Sequence, residues 1–421
     1  MKAYVGVLRN ADFRRLWTGL VLNLLGDGAT FVAMAWLTLD KGGARALGAL
    51  GVCYTLPVLL GGAVVGPLLD RFSRRSLLVY DSVARGVLVA CVPLLAALGA
   101  FEIWQLYVVA AVYGLLKIIP LAGTPAVLPE LVGEDQLQAA SGLEATAMGA
   151  ANIAGPAIGA GLISLAGAHN VLVLDALTYF AFALLIVRIK APLGRPEHAG
   201  DDSSARRSGW TPVLQLLLHD RFLLILTLSF AAFNISAGAL LVALPWLAKF
   251  RFASGPGILG MLLATAAAAE LVGSFVSGAV KTSDRRQMIR IGLLQLSAGA
   301  TLVLLLGRHL PLVILGLSLN NLLTGPMTVL GGVVRLTRIP SALRGRAMTL
   351  MRTTMSGALP LGSALGGLLL ADSRYTALII AVAALAAAPG LLTVLSFRNA
   401  SFRLGLEPEA MPLAGHAHAS S

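Results

Sequence analysis

Apolar blocks long enough to cross a bilayer recur along the chain, separated by short polar breaks rich in arginine, glycine and proline. A helix rising 1.5 Å per residue needs about twenty such residues to span a hydrocarbon core of about 30 Å, so each block predicts one transmembrane helix. Helices are expected throughout, because a backbone in lipid must satisfy its own polar groups. Twelve spans are predicted, at 13–39, 46–69, 76–98, 103–127, 139–166, 170–189, 222–247, 257–280, 287–306, 310–334, 347–370 and 375–397. The fold class expected is an all-α membrane protein of two six-helix bundles.

The longest polar stretch, with Pro192, Gly194, Pro196 and Gly200, reads as a flexible linker over 191–212. It divides an N-terminal bundle at 1–190 from a C-terminal bundle at 213–400, followed by a tail at 401–421 expected to be disordered. The halves share a weak duplication. AWL (Ala35 to Leu37) parallels PWL (Pro245 to Leu247), GTPAVL (Gly123 to Leu128) parallels TGPMTVL (Thr324 to Leu330), and GPAIGAG (Gly155 to Gly161) parallels LPLGSALGG (Leu359 to Gly367). Their common order argues for two related bundles facing one another.

Charge then sets the orientation. Of the 32 Lys and Arg, about 23 fall on one side of the predicted spans and about 6 on the other, with Arg85, Lys117 and Arg352 inside spans. The positive-inside rule makes the rich side cytoplasmic, with both termini on it. The net charge of +12 is scattered in short clusters between apolar blocks, so nucleic acid is not an expected partner. Arg14 and Arg15 precede a first block without a convincing cleavage site, so an uncleaved first span is expected. Cys53 and Cys91 both lie in apolar blocks and read as small buried thiols.

The second span ends GPLLDRFSRR, with Gly66, Asp70, Arg71, Arg74 and Arg75, which resembles the signature of the major facilitator superfamily between its second and third helices. Gly155, Pro156, Gly159 and Gly161 resemble its antiporter motif on the fifth helix. FRRLW (Phe13 to Trp17), NLLGD (Asn23 to Asp27) and LRGRAM (Leu343 to Met348) are similar to the branch containing macrolide efflux proteins and the enterobactin exporter. The resemblance implies a secondary transporter that exports an amphipathic small molecule, such as a drug, antibiotic or siderophore-like compound, by proton antiport with alternating access. It further implies a bacterial inner membrane, a monomer and no cofactor. In this reading Asp70 accepts hydrogen bonds from nearby helix N-termini. The arginines pair with acids or carbonyls of the opposite half, latching one conformation; the bland alternative is positive-inside anchoring. The glycines and Pro156 let the fifth helix pack on the facing half and still rock, or else form an ordinary small-residue seam.

An ionised side chain inside lipid costs several kcal/mol, about 2.5 to 3.5 on insertion scales, unless it is paired or hydrated. Asp27, Glu144 and Glu270 lie inside predicted spans. Each reads either as a proton carrier facing a shared cavity or as a structural pair, because a carboxyl in a half-dry cleft can load and release a proton as its hydration changes. Lys117 could hold a carboxylate of the transport site, and Arg352 could neutralise an acid across the interface. The resemblance departs at the family's proton-relay arginine on the fourth helix, which a glycine follows shortly: here Lys117 stands alone, with Gly123 too far on to match. Asp81 and Arg85, one helical turn apart, predict a local ion pair. Asp175 reads as a hydrated cap near the outer surface, and Trp36 and Trp246 as interfacial anchors. Asn234, Asn320 and Asn321 read either as cavity lining or as interhelical hydrogen bonds.

No GxxxxGKS/T loop is present to bind ATP, and neither a metal-ligand cluster nor a GxSxG elbow occurs. The chain is therefore expected not to be an enzyme and to hold no metal. A nutrient importer or facilitator is the alternative transport reading. The few charged and amide groups in the spans speak against a small polar cargo.

Overall fold

A computed structural model describes residues 2–194, 211–252, 255–277, 284–340 and 343–398, and these are helical throughout apart from short connections. The helices are α1 (Lys2–Arg9), α2 (Ala11–Arg71), α3 (Arg74–Ala97), α4 (Ile103–Leu116), α5 (Ile118–Leu131), α6 (Glu134–Ala166) and α7 (Ala168–Val187). After the linker come α8 (Thr211–His219), α9 (Arg221–Trp246), α10 (Pro256–Ser277), α11 (Asp284–Thr301), α12 (Leu310–Arg338), α13 (Arg344–Ser356), α14 (Leu359–Ala371) and α15 (Tyr375–Arg398). Most of the linker, residues 195–210, and the tail from 399 lie outside the described residues.

Among the described residues nine helices are long and apolar enough to cross a membrane, or ten if the two parts of α6 form one span. The expected number differs from this at three places, each with a cause in the backbone. Helix α2 holds two predicted spans, joined at Gly43, whose φ of 68° lies in the left-handed region that glycine enters without a Cβ clash. Helix α6 bends by 40° between Asn152 and Ala154, where Pro156 leaves the Asn152 carbonyl without its helical donor. The predicted fourth span is two short helices meeting at Lys117, where Pro120 likewise cannot donate to Leu116.

Local chemistry fixes the other ends. Ser73 Oγ caps α3 by accepting from Ser76 N at 3.2 Å, and Asp220 caps α9 by accepting from Phe222 N at 2.8 Å and Leu223 N at 3.2 Å. In lipid there is no hydrophobic force between helices, so close approach is left to small residues. A Cβ on Gly48 would lie 2.7 Å from Gly367 Cα, and one on Gly51 would lie 2.7 Å from Ser363 Cβ, so α2 and α14 cross nearly backbone to backbone.

The apolar interior divides by membrane face. One large cluster lies toward the face carrying Asp40 and Gly43, and it draws on residues from both sides of the linker, including Leu47, Leu50, Ala160, Leu259 and Leu370. Toward the face carrying Arg74 the interior separates in two. One cluster, with Phe13, Leu78, Val127 and Ile186, precedes the linker; the other, with Leu223, Met288, Val334 and Met351, follows it.

Candidate functional site

Two polar sites lie inside the bundle. The first is a buried network joining α2, α3, α4 and α7. Arg85 Nη2 donates to Asp81 Oδ2 at 2.5 Å, the pair expected one helical turn apart. The same guanidinium lies 3.6 Å from Asp27 Oδ2 and donates to Tyr179 Oη at 3.1 Å. Tyr113 Oη donates to Asp27 Oδ1 at 2.6 Å, Tyr179 Oη donates to the same oxygen, and the two phenol oxygens lie 2.8 Å apart. Arg85 is 1% exposed, so every donor it has must be met by protein.

Asp27 corrects the reading that has it face a shared cleft and fits the alternative of a structural pair, because two phenols and a guanidinium lie against its carboxylate. Asp175 is a second correction. It is buried at 2% exposure, not hydrated at the surface, and accepts from Thr30 Oγ1 at 2.5 Å and Thr178 Oγ1 at 3.1 Å. Two carboxylates, Asp81 and Asp27, thus share one guanidinium. Lys117 Nζ lies 3.4 Å from Tyr54 Oη and over that ring. Tyr113, Tyr179 and Asp175 were not foreseen as partners. The available signal was spacing, since Asp175 and Tyr179 stand four apart on α7 as Asp81 and Arg85 do on α3.

The second site is a cavity of about 290 Å³ between α9, α10 and α12, into which Glu270 faces beside Asn320, Asn321 and Thr324. Its walls include Phe233, Leu240, Leu263 and Leu317. Neither Asp27 nor Glu144 lines it, so the three acids expected in one cleft occupy three places. The reason for Asp27 is rotational: α2 turns it toward Arg85, Tyr113 and Tyr179 of its own half, while Glu144 is buried at 7% exposure. Two close approaches join α10 and α12 near Glu270. Gly273 sits against the Leu322 carbonyl, and a Cβ on Gly325 would lie 2.5 Å from the Glu270 carbonyl oxygen.

The motif residues are placed differently from expectation. Gly155 and Gly159 pack on α2 of their own half, against the Leu25 carbonyl and Ala29, while Pro156 touches Gly28, one residue beyond Asp27. Contact with the opposite half comes at Ala157 and at Gly161 of the motif: a Cβ on Gly260 would lie 3.2 Å from Ala157 O and 3.4 Å from Gly161 N. Arg74 and Arg75 also stay within their half, Arg74 pairing with Glu130 and Arg75 donating to Ile189 O at 2.8 Å and Ala191 O at 2.6 Å. Among the described residues the two apolar clusters at this face are separate. The side chains of Gly66, Asp70 and Arg71 lie outside the described residues. Arg352 is exposed and close enough to Arg335 for the two to repel, in place of the expected acid partner. Trp246 stacks on Tyr375 with centroids 5.4 Å apart, and Lys249 lies over Trp36, so both indoles serve packing inside the protein.

Among the described residues, two ion pairs join the halves at the Asp40 face. Lys249 pairs with Asp40, and Arg45 Nη2 lies 3.8 Å from Asp372 Oδ1. The chain matches, over residues 3–408, the family model described as "Transmembrane secretion effector". The chain belongs to this family of major facilitator transporters. It is therefore a multi-pass membrane transporter and not an enzyme. The family assignment has support along the whole chain. The multidrug efflux pump Tap of Mycobacterium tuberculosis is 28% identical over 382 residues, covering 88% of this chain and 89% of that one. Macrolide efflux protein A of Streptococcus pyogenes is 22% identical over 181 residues, 43% and 45% of the two chains. Among solved structures, a bacterial homologue of the iron transporter ferroportin, in an inward-facing state, superposes with a TM-score of 0.68 at 17% identity, covering 92% of this chain and 99% of that one. At that identity the likeness speaks to the fold alone.

Proposed function

We propose that this transporter exports an amphipathic small molecule in exchange for protons, its two bundles, 1–190 and 213–400, rocking about a central site. One observation carries the reading: among the described residues the bundles share a core and ion pairs at the Asp40 face and form separate cores at the Arg74 face. An interface joined at one face only is what alternating access requires of one of its two states. The positive-inside rule assigns the parted face to the cytoplasm of a bacterial inner membrane, with both termini there, so cargo enters from the cell. The efflux pumps among the relatives support the outward direction.

Glu270 is the proton carrier in this scheme. It faces a cavity without an ionic partner among the described residues, so its hydration can change as the halves move. Asp27, enclosed by Arg85 and two tyrosines, holds α2, α3, α4 and α7 together as one rigid lobe.

The test is dye transport in inside-out vesicles energised by an imposed pH gradient, with ethidium and Hoechst dyes as probes. Gradient-dependent accumulation that collapses with a protonophore, and falls at least about tenfold in Glu270→Gln, is the expected result, the loss of a positioned proton-transfer group costing typically about a hundredfold or more. Accumulation indifferent to the gradient, or unchanged in Glu270→Gln, overturns the reading.

A further inference from the structure

Arginines toward the Arg74 face have oxygen acceptors: Arg74 pairs with Glu130, Arg75 donates to two carbonyls, and Arg338 Nη1 lies 3.0 Å from Asp220 Oδ2. Arg335, three residues before Arg338 on α12, departs from this pattern. Its Nε is buried with no hydrogen-bond partner. Its Nη1 donates to the thioether sulfur of Met355 at 3.5 Å, a weak acceptor. Its guanidinium lies 5.5 Å from the ring centroid of Phe230, a ring that a Cβ on Gly331, one turn earlier, would meet at 3.0 Å. Among the described residues no carboxylate pairs with Arg335, and the charge that acts on it is a second cation, Arg352 on α13. The last turn of α12 favours a cation but gives Nε no acceptor.

Helical spacing gives the direction in which Arg352 points. It stands eleven residues, or three turns, before Ser363, which packs on Gly51 of α2. Between them Gly357 stays near helical geometry, at φ −62° and ψ −14°, and meets Leu59 of α2. Arg352 thus continues the face turned toward the first half, about 16 Å nearer the Arg74 face. There its side chain is exposed and the apolar clusters of the two halves are separate.

We infer that Arg335 and Arg352 form a binding site, between the halves at the Arg74 face, for a doubly charged oxyanion of the phosphate monoester class. Two guanidinium forks match the oxygens of such a group and supply the acceptor that Nε lacks. A carboxylate brings one charge and would leave one cation uncompensated, whereas a phosphate monoester carries about −1.5 to −2 at neutral pH. Phe230 and Met355 offer an apolar wall to the body of the ester. Arg335 lies about 16 Å further along α12 than Thr324 of the Glu270 cavity, so the site is separate from the proton carrier and does not depend on the export reading.

Binding is measurable without transport. Purified full-length protein in detergent, in phosphate-free buffer at neutral pH, is titrated by calorimetry with phenyl phosphate, phenylacetate and phenol, which bear two, one and no negative charges. Phenyl phosphate is expected to bind most tightly and phenol least. Arg352 is exposed, so Arg352→Gln should fold, and it should weaken phenyl phosphate about tenfold or more while leaving phenol unchanged. Arg352→Lys, which keeps the charge but loses the planar fork, should retain part of the affinity. Arg335→Gln should weaken phenyl phosphate at least as much as Arg352→Gln does. Equal affinity for the three probes, no binding of phenyl phosphate at millimolar concentration, or native affinity in a folded Arg352→Gln protein overturns the inference. The source of the phosphate is read in nanodiscs. Competition by phosphatidic acid against phenyl phosphate assigns a lipid head group, its absence assigns a dissolved ester, and either result supports the oxyanion class.

Discussion

Arg85 on α3 and Asp27 on α2 meet at 3.6 Å in the interior of the first half, although Arg85 already holds Asp81 at 2.5 Å on its own helix. The arrangement makes one cation serve two anions, with the Tyr113 and Tyr179 hydroxyls dispersing the charge left over. Four helices are tied at this point, and the ties are buried, so they are exposed neither to salt screening nor to competition from water.

Removing Arg85 should be costly for that reason. Arg85→Ala leaves two carboxylates unpaired in the bilayer interior, a loss of about 3 to 5 kcal/mol. Thermal unfolding in detergent should show a sharply lowered midpoint, partly recovered when Asp81→Asn is added to Arg85→Gln. A midpoint equal to that of the native protein would mean that the network contributes nothing to holding the lobe.

The ion pair of Lys249 with Asp40 is half exposed, so its worth is small, about 0 to 1 kcal/mol. Lys249→Asp should accordingly shift the balance away from closure at the Asp40 face by no more than about fivefold. Spin labels at Glu102 and Arg374, on opposite halves of that face, would report it as a longer-distance population. The exchanged pair Asp40→Lys with Lys249→Asp should return the native distribution.

A steric block at the same face should act more strongly. Gly48→Leu places a side chain where α2 and α14 now cross with Gly367 in contact, a clash of about 1 to 3 kcal/mol. The same labels should move further apart than in Lys249→Asp, and dye efflux should fall because return to this state is hindered.

Gly159 and Gly161 differ in what surrounds them, although both belong to one motif. Gly159 rests on Ala29, whereas a Cβ at Gly161 would meet nothing within 4 Å. Gly159→Leu should destabilise the protein by about 1 to 3 kcal/mol and abolish transport. Gly161→Ala should express, unfold and transport as the native protein does.

Glu144 and Glu270 should separate in transport assays. Glu144 lies outside the cavity that Glu270 faces, so Glu144→Gln should leave gradient-driven efflux within about threefold of native while Glu270→Gln loses it. Equal loss in both would place Glu144 on the proton route as well.

The sequence by itself determined the class of solvent, the helical architecture and the family. These depend on block length, charge scarcity and local motifs, all of which are properties of contiguous residues. The Asp81 and Arg85 pair was legible for the same reason, being one turn apart on one helix. The span ends were less so, because Gly43 and the prolines at 120 and 156 redirect the chain without altering its hydropathy. Tertiary structure alone decided where the acids point. Asp27, Glu144 and Glu270 look alike in sequence, yet helix rotation places the first between two tyrosines and an arginine and turns the last toward the cavity between α9, α10 and α12. Rotation of a helix in lipid is set by contacts with its neighbours, such as Gly159 on Ala29 or Gly325 on the Glu270 backbone. In a segment apolar on every side, no periodic polar face records it.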